Sequence, residues 1–160
     1  MDSVDIEVLR TAEGWRSGGR RVALGTIVRT WGSAPRPIGA MVAIRDDGQI
    51  VGSVSGGCVE DDLIEKTKGI LGAAKPQLVT YGVTNEEATR WGLPCGGTLQ
   101  LVVEPVAGHS RIPELLDRIS SQQLVKRPIA ALAAPKALKV LRERARHPAR
   151  LRRGHGERLA

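Results

Sequence analysis

Apolar residues recur along the chain at two different periods, and the points where the period changes mark out its elements. Over residues 3–16, Val4, Val8, Leu9, Ala12 and Trp15 fall on one face of a 3.6-residue period. Asp2 or Ser3 caps that helix and Gly18-Gly19 stop it. Residues 21–30 place Val22, Leu24, Thr26 and Val28 at alternate positions, the pattern of a strand. Two further β-rich segments, 40–45 and 49–54, flank Asp46-Asp47-Gly48, a strong hairpin signal. A second helix is predicted from about Cys58, with Val59, Leu63, Ile64, Thr67 and Leu71 on its apolar face. Pro76 opens a strand over 77–82, and Thr84-Asn85-Glu86-Glu87 reads as the capping box of a short helix ending near Trp91-Gly92. A strand over 98–104 closed by Pro105, a helix over 113–120 and a short strand over 128–133 follow. Strands alternating with helices, plus one tight β-hairpin, imply an α/β fold: a single domain with a mixed β-sheet flanked by helices.

Past Pro135 the periodicity decays and the text becomes rich in Arg, Ala and Leu. Leu138 and Leu141 could anchor a helix as far as Arg146, and disorder is expected after Pro148, where little apolar surface offsets chain entropy. The chain therefore divides into an α/β domain over 1–106, a helix–strand extension over 107–134 and a basic tail over 135–160, partly disordered. Charge changes along the same lines. The net charge is +7, yet residues 1–106 hold eleven Lys and Arg against thirteen Asp and Glu, and residues 107–160 hold thirteen against four. An acidic body with a basic tail, and no nucleic-acid reader motif beside that tail, makes a nucleic-acid module a weak reading. No apolar stretch is long enough to span a membrane. The acidic N-terminus is unlike a secretory signal, so a cytoplasmic location is expected. There the two cysteines, Cys58 and Cys95, are read as free thiols. They cannot supply the four ligands of a structural zinc site, and all three histidines lie beyond residue 106, so no metal site is expected.

Three segments could carry chemistry. In Gly52-Ser53-Val54-Ser55-Gly56-Gly57-Cys58-Val59-Glu60, a strand, a glycine turn and a helix start leave backbone N–H groups of Ser55, Gly56 and Gly57 available to an anion. The helix start would also favour the Cys58 thiolate. Against this, Glu60, Asp61 and Asp62 already complement the helix dipole and would weaken anion binding. The bland alternative is a turn whose glycines only let strand and helix meet. In Gly92-Leu93-Pro94-Cys95-Gly96-Gly97-Thr98 a second cysteine adjoins paired glycines, though a strand follows and no helix dipole reaches Cys95. In Arg29-Thr30-Trp31-Gly32-Ser33-Ala34-Pro35-Arg36-Pro37-Ile38-Gly39-Ala40, two prolines hold Arg36 extended, suited to a phosphate or carboxylate. The alternative there is a surface loop with a solvated arginine and Trp31 tucked over the core. If the two glycine segments and Arg36 share one side of the sheet, they can line one pocket.

In order and in combination, these segments, with Val103-Glu104-Pro105, resemble the N-terminal domain of the XdhC/CoxI family over roughly residues 5–106. The resemblance implies an accessory factor that binds molybdenum cofactor transiently, aids its sulfuration and delivers it to the apo form of a molybdenum hydroxylase such as xanthine dehydrogenase. The candidate binding residues, inferred from the local physics of the three segments, are Arg36, Ser55, Gly56, Gly57, Cys58, Cys95, Gly96 and Gly97, with Cys58 and Cys95 as candidate thiols and no catalytic residue assigned. A cysteine desulfurase as a second partner and a homodimer are left open. A thiol-dependent sulfur-transfer or redox enzyme using Cys58 is the alternative, disfavoured because no His or Lys adjoins Cys58 as a base. Longer members of the family carry a Rossmann-like C-terminal domain. No counterpart of it is expected here, and a small single-domain member or a truncated or frame-shifted reading would each account for that.

Overall fold

Val8, Leu9 and Ala12 are completely buried on one face of the first helix, α1 (Ser3–Ser17), as its period predicts. The face is rotated from the expected one. Val4 is exposed, and Asp5 is buried instead, its Oδ1 accepting the Met41 N–H at 3.3 Å. In this computed structural model the described residues are 3–32, 36–57, 59–82, 97–123 and Ile129, all within the unit Met1–Ala130. The short helix expected after Thr84, the strand expected over 128–133 (apart from Ile129) and the tail beyond Pro135 lie outside the described residues.

The strands are β1 (Val22–Trp31), β2 (Met41–Arg45), β3 (Ile50–Gly52), β4 (Gln77–Tyr81) and β5 (Thr98–Pro105). Helix α2 (Glu60–Ala73) joins β3 to β4. A 3-10 turn (Gly108–Ser110) and helix α3 (Ile112–Ser120) follow β5. The α/β class and the β2–β3 hairpin are as expected. The mixed sheet is not: among the described residues the strand order is β3-β2-β1-β5-β4, and every pairing is antiparallel. The reason lies in the α2 crossover. It connects β3 and β4, which run in the same direction but occupy opposite edges of the sheet, so it creates no parallel neighbours.

Helices cover both faces. On one, Leu63, Ile70 and Leu71 of α2 pack on Ala23, Ile27, Val42, Ile44, Leu99 and Leu101. On the other, Val8, Leu9 and Ala12 of α1 and Ile112 and Leu115 of α3 pack on Val22, Leu24, Met41 and Ala43. This is why residues 22–27 and 41–44 are buried without a break rather than alternating. A bulge between Ile27 and Arg29 ends the buried stretch of β1.

Candidate functional site

Strand register brings the three motif segments to one end of the sheet. Trp31, the last residue of β1, lies opposite Thr98, the first of β5, and Tyr81, the last of β4, opposite Leu99. Met41, the first of β2, pairs with Thr26, and Gly52, the last of β3, with Val42. The 53–59 turn, the β1–β2 loop that carries Arg36, and Gly97 therefore all adjoin this end. The strand order places the exit of β3 and the entry to β5 three strand spacings apart, roughly 14 Å, with the Arg36 loop springing from the two strands between them. Cys58, Cys95 and Gly96 lie outside the described residues.

The β1–β2 loop is tied to the strand it leaves. The Gly39 N–H donates to Ile27 O at 2.9 Å, and the Ile27 N–H to Ala40 O at 3.0 Å. Within the loop Arg36 is half-buried, and its Nε is fully buried with no hydrogen-bond partner. Among the described residues no carboxylate pairs with it. A buried guanidinium N–H without an acceptor is costly, and an anionic guest would offset that cost. Trp31 is exposed rather than tucked over the core, and the Arg29 guanidinium stacks on its ring, 4.2 Å from the centroid.

The 53–59 turn is built differently from expectation. Among the described residues, the N–H groups of Val54 to Gly57 and of Val59 are not left open to a guest, chiefly because Glu60, the first residue of α2, turns its carboxylate back into them. Glu60 Oε1 accepts from Ser53 Oγ at 2.7 Å and from the Val54 and Ser55 N–H groups at 3.1 Å each. Oε2 accepts from Ser55 Oγ, from the Gly57 N–H at 3.1 Å and from the Val59 N–H at 3.2 Å. The Gly56 N–H donates to Ser53 Oγ at 2.8 Å. Gly56 and Gly57 hold φ of 78° and 107°, the left-handed backbone that curls these donors toward one point. Burial pushes the Glu60 carboxyl up, but hydrogen bonds from the Ser55 and Ser53 hydroxyls and from the Ser55 and Val54 N–H groups outweigh it and hold its pKa at about 2. The helix starts at Glu60, two residues later than predicted, and Val59 before it has no polar side-chain atom with which to cap it.

A second polar cluster, not singled out from the sequence, stands one turn along α2. The Tyr81 hydroxyl donates to Asp62 Oδ2 at 2.8 Å, Lys66 pairs with the same carboxylate, and the Lys66 ammonium lies 4.9 Å from the Tyr81 ring centroid. Burial, then the bond to and charge of Asp62, push the Tyr81 phenol above its ordinary range, so it is a donor and not a base. Only long-range pairing brings Tyr81 to Asp62, and no local spacing signals it. Among the described residues no group of three His, Cys, Asp or Glu side chains could hold a metal ion, and no helix is long and apolar enough to cross a membrane.

Residues 15–82 fit the sequence model of the XdhC and CoxI family. The chain belongs to the XdhC and CoxI family. Its similarity to a molybdenum cofactor insertion chaperone, PaoD of Escherichia coli, is 31% identity over 121 residues, 74% of this chain and 37% of the relative. A protein of Bacillus subtilis named as a probable xanthine dehydrogenase subunit is 31% identical over 90 residues, 55% of this chain and 27% of that one. In three dimensions the fold is similar to a crystal structure described as a xanthine dehydrogenase from Bacillus halodurans. The TM-score is 0.59 at 33% identity, covering 74% of this chain and 34% of that one. The XdhC and CoxI domain seen here thus spans about a third of the length of such relatives.

Proposed function

We propose that this XdhC and CoxI domain takes molybdenum cofactor as cargo in the cytoplasm and passes it to the apo form of a molybdenum hydroxylase such as xanthine dehydrogenase, aiding its sulfuration on the way. The observation that carries the reading is Arg36, whose buried Nε lacks an acceptor, on the loop of the two strands that lie between the exit of β3 and the entry to β5. The cargo is a flat, anionic pterin with a terminal phosphate. An arginine presents paired donors to such a phosphate or to another anionic edge. Ser55, Gly56 and Gly57 on one side, and Cys95, Gly96 and Gly97 on the other, would form the walls of the site, with Cys58 and Cys95 as its thiols. Further support comes from the names borne by the relatives, a molybdenum cofactor insertion chaperone and a probable subunit of xanthine dehydrogenase.

The test is a direct binding titration with isolated molybdenum cofactor. Arg36→Ala should weaken binding by about 1.5–3 kcal/mol, the cost of losing a charge-assisted hydrogen bond. Cys58→Ser, nearly isosteric, should disturb binding less. The protein alone should perform no multiple-turnover reaction. Equal binding by Arg36→Ala and the parent would remove Arg36 from the site, and turnover abolished by Cys58→Ser would make the chain a thiol enzyme.

A further inference from the structure

We propose that Glu60 is the positioning residue of this site: an internal carboxylate that occupies the 53–59 turn in place of an external anion, fixes the shape of the turn and bars small oxyanions from it. Three backbone N–H groups, those of Val54, Ser55 and Gly57, and two hydroxyls, those of Ser53 and Ser55, end on its two oxygens, and the Val59 N–H is shared between Oε2 and Ser55 Oγ at 3.0 Å. That is the donor set of a phosphate cradle, already filled from within. The turn is sealed beneath this network, since Val54 and Val59 are completely buried in the α2-side core and Ser55 is 3% exposed. The carboxylate is ionised throughout the neutral range, so the occupant carries its charge there.

Two consequences follow for chemistry at this end of the sheet. Phosphate, sulfate and molybdate compete poorly for donors that a tethered carboxylate already holds, because the tether confers a high effective concentration at no cost in association entropy. The anionic groups of a guest are then left to Arg36, whose Nε has no acceptor of its own. The turn contributes its fixed shape rather than its N–H groups. The inference rests on the cofactor reading only in counting the turn as a wall of that site; the role of Glu60 in the turn is independent of any cargo.

The experiment uses the full chain and two probes, inorganic phosphate and acetate, at constant ionic strength. Thermal midpoints and the amide signals of Ser55, Gly57 and Val59 are followed for the parent, Glu60→Ala and Glu60→Gln. In the parent, neither probe should move those three signals. Glu60→Ala should lose stability and regain it saturably with acetate or phosphate, binding them at least about tenfold more tightly than the parent does, as expected for recovered charge-assisted hydrogen bonds. Glu60→Gln fills the same space without the charge and sets an NH2 group against half of the donors, so it should be destabilised and not rescued. Saturable movement of the three signals by phosphate in the parent, as tight as in Glu60→Ala, would overturn the proposal. So would an Ala variant whose loss of stability neither anion repairs. If Glu60→Ala does not fold, the Gln variant decides: a midpoint and amide spectrum equal to the parent's would overturn it. No arm uses cofactor, so a failure here and a failure of the Arg36 titration sink different statements.

Discussion

An ionised carboxylate surrounded by six donors gives the fold a titratable dependence whose sign is determined. The Glu60 pKa falls from its ordinary 4.5 to about 2 on folding. A depressed folded-state pKa contributes stability that is fully present above the unfolded value and lost as pH falls through the folded one. Glu60→Gln lacks that contribution at every pH. The parent should therefore exceed the variant by on the order of 2 kcal/mol near neutrality, allowing for solvent screening of a partly exposed group. The gap should narrow between about pH 4.5 and pH 2. Urea midpoints of both proteins across that range measure it, and a pH-independent gap would show that shape, not charge, matters at this position. The charge was legible in the sequence but its direction was not. Acids in a first helical turn are readable as dipole partners, whereas a glutamate reaching back is selected by where the left-handed Gly56 and Gly57 aim their neighbours' N–H groups. Trp31 shows the same limit: the sequence places it in the loop beyond the strand that it in fact ends, and its stacking with Arg29 in solvent was not readable.

Among the described residues, helices and strands themselves were read within a residue or two, because each carries its own period. Relations between them were not local. Strand direction depends on which connection returns beside which strand, so the antiparallel order β3-β2-β1-β5-β4 is invisible to composition. Burial of both faces also removes the alternation that would have told one face of β1 or β2 from the other. Gly52 marks a close approach between elements. It ends β3 with φ of 87°, and a Cβ there would stand 2.5 Å from Met41 O of β2 and 2.5 Å from Val8 Cγ2 of α1. Val8 can shift its side chain only into a filled core, and the Met41 carbonyl is held in the sheet. Gly52→Ala should thus cost about 2–4 kcal/mol, from left-handed strain and overpacking together. Chemical denaturation would show it. A loss under about 0.5 kcal/mol, typical of an innocuous surface change, would mean that α1 does not approach β3 this closely.

At the scale of the whole molecule, two cores on opposite faces of one sheet make the boundaries of the folding unit testable. The body over 1–106 is bounded by sequence similarity and charge, yet the α1-side core is finished by residues beyond it. Ile112 is 1% and Leu115 is 7% exposed, packed with Val106 against Val8, Leu9 and Ala12. The 3-10 turn delivers α3 there, with the Val106 N–H bonded to Val22 O at 2.8 Å and the Ser110 N–H to Ala107 O at 2.9 Å. Each such aliphatic side chain contributes about 1.5–3 kcal/mol when fully buried. Losing Ile112 and Leu115 together would remove several kcal/mol from a fold whose entire margin is of the order of 5–15 kcal/mol. A chain ending at residue 106 should therefore be largely unfolded or strongly shifted in its urea midpoint, with Leu9 and Ala12 newly exposed to solvent. A chain ending at residue 134 should keep the parent's midpoint, since it retains every described residue of both cores. Circular dichroism on the two truncations gives the answer. A stable 1–106 chain would show that α3 decorates the α1 face rather than completing it, and a destabilised 1–134 chain would show that the basic tail contributes to the fold as well as to the charge.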